Sequence, residues 1–476
     1  MAETLTPDIC VIGGGAAGLS VAAAAAAFGV PTVLIERGAL GGDCLHTGCV
    51  PSKALLAAAK RAEIMQNSRA FGISADGIDI DFAKVHDHVH QVIASIAPAD
   101  SEERFAGLGV RVIKGHAKFR NRHTVVVGDA YEIRARRFVI ATGSTPAVPP
   151  IPGLDTGPYL TNETIFDLKQ RPDRLIIIGA GAVGVELAQA FRRLGSDVVV
   201  LEVGQPLAKD DPECAAIVLA QLEREGVAIR DNVKIARIAH TNGRVMVTIE
   251  TACGEETIEG AHVLVATGRK PTTDGLDLES GRIRYGSTGI VVNRKLKTRN
   301  KRVYAIGDVV SGQPRFTHAA NYHAGLVIRN ALFRLPVRVN PDAVPRVTYT
   351  EPELAQAGVT EAQARKRGIK FRILRWPYHD NDRAQAERTT HGHIKIIVGN
   401  NGKILGAAIA GAQAGELIAT WILAIAEGLN IRAMTGTVFP YPTLSEIGKR
   451  AAYDYFSKSL TRPFVRRIIN LLRILR

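Results

Sequence analysis

The chain has 476 residues, of which 46 % are apolar and 22 % charged, with 46 glycines and five cysteines. That length exceeds what one hydrophobic core organises, and the composition excludes both a disordered chain and a disulfide-dense secreted scaffold; a reducing, cytoplasmic setting is expected. The formal charge of +14 is concentrated: from Lys449 to Arg476 eight Lys or Arg stand against Asp454 alone, so +7 lies in the last 28 residues. With no zinc-finger, aromatic RNA-binding or helix-turn-helix pattern beside this basic tail, nucleic acid is disfavoured as a partner.

The first residues, MAETLTPDICVIGGG, lack the basic and apolar regions of a signal peptide and run directly into a strand, and no window is long and apolar enough for a transmembrane helix. DICVIGGGAAGLSVAAAAAAFGVPTVLIER then reads as strand, glycine turn, small-residue helix and second strand, with Gly13, Gly15 and Gly18 forming GxGxxG and Glu36 23 residues past the first glycine. In that context the first glycine allows the turn, the second lets a pyrophosphate approach and the third lets helix pack on strand; the acid accepts from a ribose diol.

GGDCLHTGCVPSKAL, residues 41–55, holds Cys44 and Cys49 with Lys53 beyond. Zinc wants about four ligands, and Cys10, Cys214 and Cys253 stand singly elsewhere, with only His46 near the pair. A staple closing so short a loop would constrain the unfolded chain little, which leaves a reversible redox pair. Pro51 and the helix formers after it place Cys49 at a helix N-terminus, where the dipole stabilises a thiolate, and Lys53 one turn later on the same face. Further along, FAKVHDHVHQVIASI predicts a helix with a core stripe of Phe82, Val85, Val89, Ile93 and Ile96; His86, His88 and His90 are read as a solvated face in preference to metal ligands.

RLIIIGAGAVGVELAQAFRRLGSDVVVLEV repeats the first unit, with Gly179, Gly181, Gly184 and, again 23 residues on, Glu202. FVIATGSTP and VLVATGRKP are both strands ending in ATGxxP, and VYAIGDVV sets Asp308 after an apolar strand. Two dinucleotide-binding units therefore lie in series. Residues 346–400 mix short apolar runs with the helix-like TEAQARKRG, then KIIVGNNGKILGAAIAG predicts a hairpin turning at Asn400–Gly402; this part reads as a packing or dimerisation domain. The expected fold is α/β, with two Rossmann-like domains and a C-terminal α+β domain.

Taken together and in this order, these motifs resemble the flavoprotein disulfide reductases, a family that includes dihydrolipoamide dehydrogenase, glutathione reductase and mercuric reductase. The resemblance runs from residue 7 to about 456 and implies a homodimer divided into residues 1–150 (FAD-binding, with the redox disulfide), 151–271 (NAD(P)-binding), 272–345 (a central segment completing the FAD site), 346–460 (dimerisation) and a tail, 461–476. It implies FAD held by Gly13, Gly15, Gly18, Glu36, Lys53, Ala117, Thr142, Gly143, Asp308 and Ala319. It implies a nicotinamide dinucleotide held by Gly179, Gly181, Gly184, Glu202, Val233 and Gly268. Hydride would pass to the flavin and electrons to Cys49, the flavin-proximal sulfur, with Cys44 the interchange thiol and Glu186 the partner of Lys53. Because Glu202 suits a ribose 2'-hydroxyl and VGQPLA supplies no arginine clamp, NADH is favoured over NADPH.

Two departures from the pattern stand out. FPYPTLSEIGK places Tyr441 where lipoamide and glutathione reductases carry a histidine, with Glu446 retained, and a tyrosine of pKa about 10 is a poor base at neutral pH. No cysteine follows Cys253, so the C-terminal cysteine pair of mercuric reductases is missing. The electron acceptor is thus unassigned, mercuric reductase-like or dihydrolipoamide dehydrogenase-like, with a redox-sensing flavoprotein of slow turnover that docks to a membrane or protein partner through its basic tail as the alternative. Beyond the family's usual end, RPFVRRIINLLRILR gathers Phe464, Val465, Ile468, Ile469, Leu471, Leu472 and Leu475 on one side and Arg466, Arg467, Asn470 and Arg473 on the other. Such a helix lies on anionic lipid at the inner face of the membrane or packs on its own dimer.

Overall fold

The computed structural model describes residues 2–74, 77–251, 254–460 and 463–474; Cys253 and Leu475 lie outside them. The chain forms two compact units, one of Met1–Ala180, Ala190–Val203 and Asn232–Pro341, the other of Gly181–Gln189, Gly204–Asp231 and Asp342–Arg476.

In the first unit, ICVI at Ile9–Ile12 is buried along its whole length, as a strand covered on both faces must be. It is the centre of a five-stranded parallel sheet, in the order Val303–Ala305, Arg137–Ile140, Ile9–Ile12, Thr32–Glu36 and Val110–Lys114. The Ala-rich helix Ala16–Ala27 packs on it through Leu19, Val21, Ala22 and Ala25, and Thr317–Ala331 joins the same core through Ala320, Ala324 and Val327. On the other face, Phe119, Val125, Ile133 and Phe138 fill a second core beneath a smaller sheet built from Glu3–Leu5, Tyr131–Ile133, Thr124–Val127 and Ala117–Asn121. The second glycine motif follows a parallel sheet in which Arg174–Ile178 lies between Asp197–Leu201 and His262–Val265. A three-stranded antiparallel sheet, Lys234–Thr241, Arg244–Thr251 and Gly254–Gly260, shares its core through Val247 and Ile249.

The second unit is organised by a five-stranded antiparallel sheet in the order Arg346–Thr348, Glu353–Gly358, Ile404–Gly411, His393–Gly399 and Phe371–Pro377. The expected hairpin is its central pair, and TEAQARKRG is the helix Glu361–Lys366, begun by a capping box between Thr360 and Gln363. Helices Ala414–Ala426 and Glu446–Leu460 cover the sheet through Ile418, Trp421, Ile447 and Ala451. The chain continues into the helix Pro463–Ile474, in which no residue is buried.

One expectation needs correcting. The helix Phe82–Ile96 forms, started by Asp81, whose side chain accepts from Lys84 N. Of its five-residue stripe only Phe82 and Val89 are buried, and Ile96 is 40 % exposed, because the 3.6-residue period fixes which residues share a face but not how much of that face is covered.

Candidate functional site

The first glycine turn has the geometry a dinucleotide needs. Gly13 sits at φ 108°, and a Cβ there would run into the carbonyl of Ala141; a Cβ on Gly18 would strike Gly13 O, so helix and strand approach as closely as backbone allows. Gly15, by contrast, meets only Gly42 Cα at 3.9 Å, and its outer face is free for a phosphate. Glu36 at the end of the next strand accepts from Gly14 N at 2.5 Å and Gly38 N at 2.6 Å. The second motif repeats these relations: Gly179 lies at φ 109° against Ala266, Glu202 accepts from Ala180 N at 2.7 Å, and Val233 N donates to Glu202 O at 3.1 Å. No atom would meet a Cβ on Gly181 or Gly268 within 4 Å. Gly184 falls in the first turn of the helix Ala182–Arg193.

The redox turn is fastened directly to the first glycine turn. Gly41 N donates to Gly14 O at 2.9 Å, Gly15 and Gly41 form a β-bridge, and Gly42 packs so tightly that its Cβ would lie 2.8 Å from Gly15 Cα. From there Cys44 is carried on the short helix Gly42–His46, and Cys49 opens the helix Cys49–Gln66. Both thiols are free in this structure. Cys49 is pushed down to about 6, chiefly by its hydrogen bond with Cys44, against the cost of burial, with help from Thr317 and Lys53. Its Sγ lies 3.5 Å from Thr317 Oγ1. Cys44 is pushed up by the same sulfur–sulfur hydrogen bond and by burial, so it keeps its proton while Cys49 holds the negative charge.

Behind the cysteines is a polar cluster that sequence reasoning missed. Asp43 accepts from Thr47 Oγ1 at 2.9 Å and Asn162 Nδ2 at 3.0 Å, and pairs with Arg269 at 3.2 Å. Arg269 also donates to Ser144 Oγ at 2.7 Å and Ser144 O at 2.8 Å, and Ser144 Oγ donates to Asp308 at 2.7 Å. Burial pushes the carboxyl of Asp308 up, with Ser144 and Arg269 acting against it. The signal was in view: Ser144 and Arg269 are the residues after ATG in the two repeats, and Asp43 precedes the first cysteine.

The other predicted residues fall as follows. Thr142 Oγ1 donates to Thr272 O at 2.7 Å, Gly143 lies at φ 69°, and Ala117 and Ala319 are buried in the first unit. Lys53 Nζ donates to Ser52 Oγ at 3.4 Å. Glu186, Tyr441 and Glu446 belong to the second unit. Glu186 is buried there and accepts from Tyr349 N at 2.9 Å. The exposed Tyr441 donates its hydroxyl to Asp382 at 2.8 Å, which raises its pKa further, and Glu446 begins the helix Glu446–Leu460. His86 and His90 lie with ring centres 4.2 Å apart and planes tilted by 46°; His86 faces Asp87 and, with 13 % of its side chain exposed, departs from the solvated face expected, and His90 faces Phe166 O.

Residues 7–324 match the family model described as pyridine nucleotide-disulphide oxidoreductase, and residues 344–452 match the dimerisation domain of the same family. The chain belongs to this family. As a pyridine nucleotide-disulphide oxidoreductase it uses FAD and a pyridine nucleotide, and its dimerisation domain supports a homodimer. Among its relatives are a mercuric reductase of Bacillus cereus, 35 % identical over 96 % of this chain and 72 % of that one, and a dihydrolipoyl dehydrogenase of Bacillus subtilis, 34 % identical over 94 % and 95 %. Similar solved structures include the Cu(II) complex of the HOCl-induced flavoprotein disulfide reductase RclA from Escherichia coli, with TM-score 0.84 and 28 % identity over 96 % of this chain and all of that one. Another is LpdA from Mycobacterium tuberculosis, with TM-score 0.86 and 26 % identity over 95 % and 99 %. In this family electrons pass from pyridine nucleotide through the flavin to a disulfide. No helix among the described residues is long and apolar enough to cross a membrane.

Proposed function

We propose that the chain is an NADH-dependent reductase that delivers electrons through Cys49 and Cys44 to a thiophilic metal ion, copper(II) before mercury(II). The observation that carries this reading is the Tyr441–Asp382 hydrogen bond. A disulfide substrate must have both departing sulfurs protonated, a task for an acid–base group titrating near neutrality. Tyr441, raised above its usual 10, is a weak candidate, whereas a metal ion accepts electrons without taking up a proton. One NADH and two copper(II) ions yield NAD+, two copper(I) ions and one proton, so charge and electrons balance. The copper complex of RclA supports the choice of metal.

In this reading Gly13, Gly15, Gly18, Glu36, Asp308, Thr142, Gly143, Ala117 and Ala319 hold FAD, which supplies the two-electron relay between nicotinamide and disulfide. Lys53 and Thr317 hold charge and hydrogen bonds at Cys49, and Cys44 meets the acceptor. Glu446 remains the acidic neighbour of Tyr441. Gly179, Gly181, Gly184, Val233 and Gly268 shape the nicotinamide site, and Glu202 selects NADH by repelling a 2'-phosphate.

NADH oxidation by the FAD-loaded dimer with copper(II), mercury(II), lipoamide and glutathione disulfide tests the reading. Copper(II) is expected to give the highest kcat/KM, abolished in Cys44→Ser, and Tyr441→His is expected to raise lipoamide turnover at least tenfold. Wild-type lipoamide turnover equal to that with copper(II) overturns it. NADPH should be used about tenfold less well than NADH, a gap that narrows in Glu202→Ala.

A second reading concerns location. The helix Pro463–Ile474 leaves Phe464, Ile468, Ile469, Leu471, Leu472 and Ile474 exposed, with Arg466, Arg467 and Arg473 as its charges and no acid. We infer that it lies on anionic lipid and holds the enzyme at a membrane surface.

A further inference from the structure

In the first unit, away from both glycine turns, the hairpin Ala117–Asn121/Thr124–Val127 and the loop around Ser280 enclose an open cleft of about 630 Å³ lined by Arg120, Arg122, His123, Arg134 and Arg282. Glu132, with 12 % of its side chain exposed, grips Arg120 at 2.7 Å and Arg134 at 2.6 Å, which fixes two guanidinium groups with a single carboxylate. Arg122 and Arg282 have no carboxylate partner among the described residues. The two loops that carry them are tied together: Asn300 Nδ2 donates to Arg122 O and to Gly281 O, both at 2.9 Å. Arg282 is held at φ 56°, a left-handed conformation unusual for a side-chain-bearing residue and maintained only where the surroundings impose it. Arg122 Nε donates to His123 Nε2 at 2.6 Å, and desolvation first, then the charges of Arg122, Arg302 and Arg282, oppose protonation of His123.

We propose that this cleft is a binding site for a small oligophosphate. Three considerations select the ligand. The rigid guanidinium fork matches phosphate oxygens in pairs. Four lining arginines against one glutamate leave an excess of positive charge that a single orthophosphate does not neutralise. No Phe, Tyr or Trp lines the cleft to stack a base, so the ligand is recognised by its phosphates, unlike the dinucleotides.

The test is calorimetric titration of the FAD-loaded dimer with inorganic tripolyphosphate at low salt and saturating NAD+, with orthophosphate and a single-stranded oligodeoxynucleotide as comparison ligands. Tripolyphosphate is expected to bind once per chain, at least tenfold more tightly than orthophosphate and with saturable stoichiometry unlike the oligonucleotide. The double variant Arg122→Glu/Arg282→Glu is expected to weaken it at least tenfold with the KM for NADH unchanged. Equal binding by the double variant, or no binding of tripolyphosphate by the wild type with NAD+ saturating, overturns the assignment; tighter binding of the oligonucleotide replaces it with a nucleic-acid surface. The proposal stands or falls independently of the electron acceptor, because the readout is binding and not turnover.

Discussion

Arg269 pairs with Asp43 at 3.2 Å, and this contact links the end of the second ATG motif to the residue beside Cys44. Asp43 opposes ionisation of both cysteines, and Arg269 neutralises part of its charge. Removing the guanidinium in Arg269→Met is therefore expected to raise the pH at which the NADH-reduced enzyme develops its thiolate-to-flavin absorption band, by about half a unit or more. Loss of the charged hydrogen bonds to Ser144 should lower unfolding free energy by roughly 1.5–3 kcal/mol. Arg269→Lys, which keeps charge but not the fork, should restore the midpoint more fully than the stability.

The same absorption band gives the sign of the cysteine titration. Since Cys49 is lowered to about 6, the band should grow as pH rises through about 6 and be nearly complete at neutrality. Thr317→Val removes a hydrogen bond that favours the thiolate, and Lys53→Met removes a favourable charge, so each should move the midpoint upward. Cys49→Ser should abolish the band, and a midpoint unchanged in both Thr317→Val and Lys53→Met would contradict this account of the lowered thiol.

In the second unit, Lys395 is 2 % exposed and lies 2.8 Å from Asp211, 2.7 Å from Glu213 and 2.8 Å from Glu361. Lys395→Met would strand the buried Asp211, with an expected loss of about 3–5 kcal/mol in denaturant unfolding. Glu213 is lowered from its usual 4.5 to about 2, first by its hydrogen bond with Arg375 and then by Lys395. A depressed carboxylate stabilises the fold above its unfolded pKa, so this contribution should be lost as pH falls from about 4.5 towards 2. Circular dichroism across that window, in wild type and Arg375→Met, checks the direction.

The C-terminal helix makes a separate prediction. The full chain should float with vesicles containing phosphatidylserine and stay behind with neutral ones, whereas a chain ended at Ser459 should float with neither. Equal flotation of the two chains would sink the lipid reading.

The parts of the architecture legible in the sequence were those in which one residue type does one steric job. Gly13 and Gly179 announce a left-handed turn against a neighbouring strand, and Cys49 before Pro51 announces a helix start. What escaped was built from residues with many ordinary roles. Ser144, Asn162 and Arg269 acquire their meaning only when strands far apart in the chain bring them to Asp43 and Asp308, and nothing in their local spacing marks that convergence. The part-covered stripe of Phe82–Ile96 shows the same limit, since periodicity names a face but not its neighbour.

The first sheet takes four of its strands from residues before 141 and its last from Val303–Ala305, after the whole second sheet has been passed. During synthesis the edge beside Arg137–Ile140 therefore waits for roughly 160 further residues, about 10–30 s at ordinary translation speeds. The nascent chain must carry an open strand edge through that interval, which makes this stretch of translation the period when a ribosome-associated chaperone would matter most to its yield.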